Sequence, residues 1–171
     1  MIISKEDRNE SKKVGRIIQK VEKIDANYVS SESEIINQKQ PFLISLLLGF
    51  RDDLKETELE EIMKIIFIIW EYFKSSDQIN KTMISENLYS KILKRNINML
   101  KYLEGEDNSS SISEITEIDL SNLRSKALFS GIIFQFKNKR PLIEMNNKIK
   151  GYVLIGMKSL IECFDEIIKK N

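Results

Sequence analysis

IMKIIFIIWEYF, residues 62–73, runs Ile65, Ile66, Phe67, Ile68, Ile69 and Trp70 without a polar interruption. β-branched isoleucine also suits a buried strand, so the flanks decide. Upstream, Thr57 with Glu60 three residues on has the spacing of a capping box, and Glu58 and Glu61 bring negative charge to the positive end of a helix dipole. Tyr72 and Phe73 extend the apolar run beyond it. The reading is a helix over about 57–75, apolar on all sides, of the kind that other helices surround.

Helical periodicity extends outward in both directions. Ser4 followed by Asp7 suits the start of a first helix whose stripe is Val14, Ile17, Ile18, Val21, Ile24 and Tyr28, ending at a short break, Ser30–Glu34. Pro41 fits the first turn of a second helix, PFLISLLLGF, whose apolar character predicts an enclosed position. Asp77 is placed to cap a long helix through Leu103 with a seam of Leu88, Ile92, Met99 and Leu103, widened by Leu93, Ile97 and Leu100. Gly105–Ser113, GEDNSSSIS, has no apolar period and reads as an exposed loop, part of an acidic, serine-rich stretch over 104–119. A further helix over Leu120–Lys137 turns Leu123, Ala127, Leu128 and Ile132 inward, and Pro141 ends or kinks it. The last helix spans about Leu142–Lys169, with Ile149, Tyr152, Val153, Gly156, Leu160, Phe164 and Ile167 on one stripe. Gly151 and Gly156 lie inside it at ~1 kcal/mol each relative to alanine, the mark of close approach by a neighbouring helix or a ligand, packing being the favoured reading. The expected architecture is all-α: one domain over residues 1–171, folded as a single compact bundle of five or six helices.

Composition excludes more than it selects. The 171 residues are 42% hydrophobic and 31% charged, too apolar for a disordered chain, and no run approaches the ~18 residues a membrane crossing needs. With no histidine, serine–histidine and cysteine–histidine nucleophiles, histidine zinc ligands and the Glu-x-x-His motif of di-iron bundles are all ruled out. Cys163 alone makes neither a disulfide nor an all-cysteine metal site, and reads as a core or boundary side chain. A lone cysteine and no export signal predict a cytoplasmic protein. Abundant Ile, Lys and Asn with only Ala26 and Ala127 is the composition an AT-rich bacterial genome imposes.

Two sets of carboxylates carry the metal reading. Asp52, Asp53 and Glu56 form an Asp-Asp-x-x-Glu spacing, the pattern that holds magnesium against a diphosphate in all-α prenyl-transferring enzymes. This chain is too short for that fold and has no second aspartate-rich run. Glu58 with Glu61, and Glu162 with Asp165, are each one helical turn apart, as are the magnesium carboxylates of all-α nucleotide pyrophosphohydrolases, whose two motifs lie much closer in sequence. Turn formation and the helix dipole account for these acids without a metal.

Charge is segmented behind a net +1. Residues 104–119 hold six acids and no base, whereas 120–171 hold ten bases and four acids. Lys137, Lys139, Arg140, Lys148 and Lys150 cluster around Pro141 with Glu144 as the one opposing acid between 137 and 150. Such a cluster suits an anion or an acidic surface, yet the pI of about 7.7 and the lack of any recognition motif argue against a nucleic-acid domain. The first helix, basic and amphipathic, lacks the aromatic anchors of a membrane-surface helix. By elimination the expected protein is a non-enzymatic cytoplasmic protein-binding or regulatory module, immunity-, antitoxin- or adaptor-like. It needs no cofactor, it has a protein partner, and self-association stays open. Its expected contact regions are the acidic stretch and the basic cluster. The alternative is a magnesium-dependent all-α enzyme acting on a phosphorylated or nucleotide substrate.

Overall fold

A computed structural model describes residues 5–104 and 123–169; Ser4, most of the acidic stretch 104–119 and the start of the predicted helix at Leu120 lie outside them. Among the described residues there are nine α-helices and no strand. They are α1 (Lys5–Val21), α2 (Ala26–Lys39), α3 (Pro41–Phe50), α4 (Glu56–Phe73), α5 (Asp77–Lys81), α6 (Glu86–Glu104), α7 (Lys126–Asn138), α8 (Arg140–Glu144) and α9 (Asn147–Lys169), with a 3₁₀ turn at Arg51–Asp53. The all-α reading holds. The number five or six does not, because three predicted helices are each divided.

The first division falls at Glu22–Asp25. Asp25 is extended and its carboxylate accepts from the Tyr28 amide at 2.8 Å, so it caps a new helix where the apolar stripe predicts that α1 continues. The predicted break at Ser30–Glu34 lies inside α2; Ser31 returns its hydroxyl to the Tyr28 carbonyl, which lets serine sit within a helix. The second division separates α5 from α6. Ser85, and not Asp77, caps the long helix, its hydroxyl accepting from the Leu88 amide at 3.1 Å. The third falls at Met145–Asn146, where the Asn146 side chain accepts from the Lys148 amide at 2.9 Å and restarts the chain as α9. Pro41 and Pro141 each occupy a first turn, as their missing amide hydrogens favour.

Helix α4 is the centre of the core. Ile62, Ile65, Ile66, Phe67, Ile68, Ile69, Trp70, Tyr72 and Phe73 are all buried, as the unbroken run predicts. Its cap is shifted two residues from the Thr57–Glu60 reading: the Glu58 carboxylate accepts from the Lys55 amide at 2.8 Å, and Thr57 is exposed. Helix α1 packs on α4 and α7, and α6 packs on α9. Phe73 stacks on Phe164 with centroids 4.7 Å apart, which sets the C-terminal end of α4 beside that of α9. Helix α3 is less enclosed than predicted, since Leu43 and Phe50 are buried but Leu48 is 57% exposed. On α6 the inward face is Tyr89, Ile92 and Asn96; Leu88, Leu93, Ile97 and Met99 are half-buried and Leu100 is exposed. Leu128 and Ile132 of α7 are inward as read, joined by Phe129, Gln135 and Phe136.

Glycine marks two close crossings. A Cβ on Gly156 would lie 3.0 Å from Phe50 Cζ and 3.1 Å from the Tyr89 hydroxyl, whereas Gly151 has nothing within 4 Å. The tighter crossing is at Gly131, where a Cβ would meet Val14 Cγ1 at 2.7 Å. Valine in a helix has essentially one side-chain rotamer and cannot swing away. Gly131→Ala is therefore expected to cost about 1–3 kcal/mol by forcing α1 off α7. Gly151→Ala is expected to gain up to about 1 kcal/mol from helix propensity. Urea unfolding of the two variants checks both signs, and equal effects would refute the crossing.

Candidate functional site

The basic cluster is dispersed over α7, α8 and α9, and part of it is already neutralised. Lys139 pairs with Glu22 at 2.6 Å, tying the start of α8 to the end of α1. Arg140 pairs with Glu144 at 2.8 Å on an exposed surface. Lys150 donates to the Ile143 carbonyl at 2.9 Å, while Lys137 and Lys148 extend into solvent. Three large apolar side chains share this stretch in the open: Phe134, Ile143 and Tyr152 are 59%, 50% and 52% exposed. Tyr152, on the predicted inward stripe, instead lies edge-on to Phe50 at 5.9 Å, at the margin of the core.

The two carboxylate sets do not converge. Among the described residues no three carboxylates or thiols are grouped to hold a metal. Asp52 and Asp53 are exposed on the 3₁₀ turn, and Glu56 is exposed at the first position of α4. Glu58 is engaged by Lys55, and Glu61 by Lys64 at 2.9 Å. Glu162 and Asp165 flank Phe164, which contacts Phe73; Glu58 and Glu61 lie twelve to fifteen residues upstream of Phe73, roughly 18–22 Å along the α4 axis. One ion cannot bridge that span.

Glu162 belongs to a buried network joining α6 to α9. Asn96 donates to the Ser159 hydroxyl at 2.9 Å and to Glu162 at 2.7 Å. Lys158 donates to Asn96 at 3.0 Å and to Glu162 at 2.8 Å, and Arg95 closes on Glu162 at 3.1 Å. Each Glu162 oxygen is thus bonded to a donor, which explains a structural role for an acid that the sequence offered as a ligand. Cys163, between these groups and the core, is fully buried, and its desolvated thiol is pushed up to about 12 with Glu162 adding to the effect. That is an inert thiol.

A second hub sits on the other side of α4. The Glu71 carboxylate receives Lys20 at 2.8 Å, Lys74 at 2.6 Å and the Tyr28 hydroxyl. Burial alone would raise its pKa, but these donors together hold it below the usual carboxylate range.

Sequence reasoning missed one concave site altogether. Glu10 and Lys13 of α1, Tyr72 of α4, Arg124 and Ser125 before α7, and Asp165 of α9 line a cleft of about 240 Å³. It adjoins an outer hollow of about 590 Å³ that also takes in Glu6, Asp7, Asn9 and Lys126. Tyr72 donates to Glu10, and Lys13 lies 4.0 Å above the Tyr72 ring while donating to the Tyr72 carbonyl at 3.1 Å. Asp165 accepts from the Ser125 amide at 3.0 Å and the Ser125 hydroxyl at 2.6 Å. Burial raises the Asp165 carboxyl above its ordinary range despite those two bonds and the positive Arg124 nearby. No spacing rule brings these residues together, because they come from four separate parts of the chain.

No protein-family model, curated protein or solved structure matches this chain. Function therefore rests on the geometry. Among the described residues no helix is long and apolar enough to cross a membrane.

Proposed function

We propose that this chain is a single-domain, non-enzymatic α-helical protein-binding or regulatory module of the cytoplasm, and that it meets an acidic partner protein through the surface between Lys137 and Tyr152. The observation that supports this is the overlap of the basic cluster with water-exposed apolar side chains. Ile143 and Tyr152 are half exposed, and Lys150, two residues from Tyr152, bonds to the Ile143 carbonyl. Large apolar groups in water favour a contact that buries them. Cations around them select an acidic partner and speed its approach. Lys137, Lys148 and Lys150 supply that charge, since Lys139 and Arg140 are compensated by Glu22 and Glu144.

Tagged protein captured from its host cells tests the reading, with Lys148→Glu/Lys150→Glu and Tyr152→Asp as variants and circular dichroism to verify that each is folded. The expected result is one protein in near-equal amount, lost from both variants. The same partner retained by both, or no such partner with the unaltered chain, overturns it.

A further inference from the structure

Among the described residues, three well-shielded acids come with cations, and Asp165, more buried than two of them, does not. Glu58 lies 3.9 Å from Lys55, Glu71 holds Lys20 and Lys74, and Glu162 holds Arg95 and Lys158. Asp165 is only 8% exposed, yet its bonds come from neutral donors, the Ser125 amide and hydroxyl. Among the described residues no lysine or arginine nitrogen forms an ion pair with it. A buried charge without a counter-charge is costly, and its occurrence calls for an explanation.

The cleft supplies one. A carboxylate offers about four acceptor positions, so two remain on Asp165. Two cations share the cleft: Lys13 is bonded to the Tyr72 carbonyl, and Arg124, exposed at the rim, adds positive charge nearby without forming an ion pair with Asp165. Glu10 adds a second negative charge from α1, and Tyr72 a polar wall from α4. At about 30 Å³ per water-sized group, 240 Å³ holds an ammonium and a handful of carbons. The outer hollow, lined by both signs of charge, accepts a polar remainder.

We infer that the cleft between α1, α4, α9 and the start of α7 binds a small organic primary amine, whose ammonium group completes the coordination of Asp165. The inference is independent of the protein-docking surface, which lies on different residues. Two sources share this chemistry, simple aliphatic amines and amino acids, and they differ at the rim, where a ligand carboxylate would engage Arg124.

Titration of the ¹⁵N-labelled full chain, followed at the Ser125 amide, tests it. Propylamine, 1,4-diaminobutane and L-alanine are the probes; propionate and tetramethylammonium, which lacks N–H donors, are the controls. Saturable shifts are expected with the N–H-bearing ammonium probes and not with the controls. Asp165→Asn keeps an acceptor for the Ser125 amide, with the Ser125 hydroxyl free to turn and accept from the new amide nitrogen, and is expected to weaken binding about tenfold or more through loss of a charge-assisted bond. Ser125→Ala removes a competing donor and is expected to tighten binding, a gain that a purely structural role for Asp165 does not produce. Arg124→Glu weakens L-alanine alone if amino acids are the natural class, and spares it if simple amines are. Equal shifts with tetramethylammonium, no saturable shift with any amine, or unchanged binding in both Asp165→Asn and Ser125→Ala overturns the inference.

Discussion

Gln40→Leu is expected to destabilise the protein by roughly 3–6 kcal/mol, a large part of the ~5–15 kcal/mol that holds a typical domain together. Gln40 lies between α2 and α3 and is fully buried. Its amide nitrogen donates to the Ile79 and Thr82 carbonyls, each at 2.7 Å, and its oxygen accepts from the Ile84 amide at 3.0 Å. One side chain thereby satisfies three backbone groups, one in α5 and two in the segment that divides it from α6. Leucine fills similar space and satisfies none of them, so the cost is that of orphaned polar groups, with water able to relieve the exposed Thr82 side in part. Gln40→Glu separates shape from bonding: an ionised carboxylate cannot donate to the two carbonyls, so it should be nearly as damaging. Lys39→Ala, which loses the bond of Lys39 to Asn80 at 2.8 Å, is the local control and should cost about 1 kcal/mol or less. Urea unfolding gives the energies, and hydrogen exchange at Ile84 reports whether the linker has opened. A loss below that of the control would mean that Gln40 does not hold the linker.

The same residue explains why the helix count was not legible in the sequence. The periodicity of α6 is continuous with that of α5, and nothing between Asp77 and Ser85 resembles a terminator. The break exists because Gln40, some forty positions upstream, provides partners for backbone groups that a continuous helix would pair internally. At Asp25 and Asn146 the signal was local but ambiguous: each residue type is common in helices and at caps alike, and only the amide bonded to it decides. The central helix was legible because an unbroken apolar run is a statement about burial, and burial is what places it. The candidate site divides the same way. A basic cluster is visible as a run of letters, but its neutralisation by Glu22 is a contact between α1 and α8 that no run records. Tyr152 fell on the inward stripe by period and yet faces water, since α9 reaches the margin of the core there. The cleft was invisible because Glu10, Tyr72 and Ser125 are unremarkable, and Asp165 was offered only as a partner of Glu162, until the chain closes them around one volume.

Trp70→Ala is expected to cost about 3–5 kcal/mol, the range for removing a large aromatic from a packed interior. Trp70 is the single tryptophan, 1% exposed, near the C-terminal end of the central helix. Two separable effects are combined in that figure. The ring fills core space, and the indole nitrogen donates to Glu32 of α2 at 2.7 Å, which pins α2 to α4. Trp70→Phe keeps most of the packing and loses the bond. Glu32 still receives Lys74 at 3.1 Å, so its carboxylate is not orphaned. The expected cost of the phenylalanine variant is therefore only about 1–2 kcal/mol, from a smaller cavity and one lost hydrogen bond. Melting curves followed by circular dichroism at 222 nm, which need no tryptophan signal, compare the two. If phenylalanine proved as costly as alanine, the Glu32 bond and not the packing would be what joins α2 to the core. If both were mild, the central position of α4 would not be the main source of stability. The predicted ordering follows from the sequence feature that decides the fold: a run apolar on every face has to be enclosed, and its largest side chain leaves the largest void when removed.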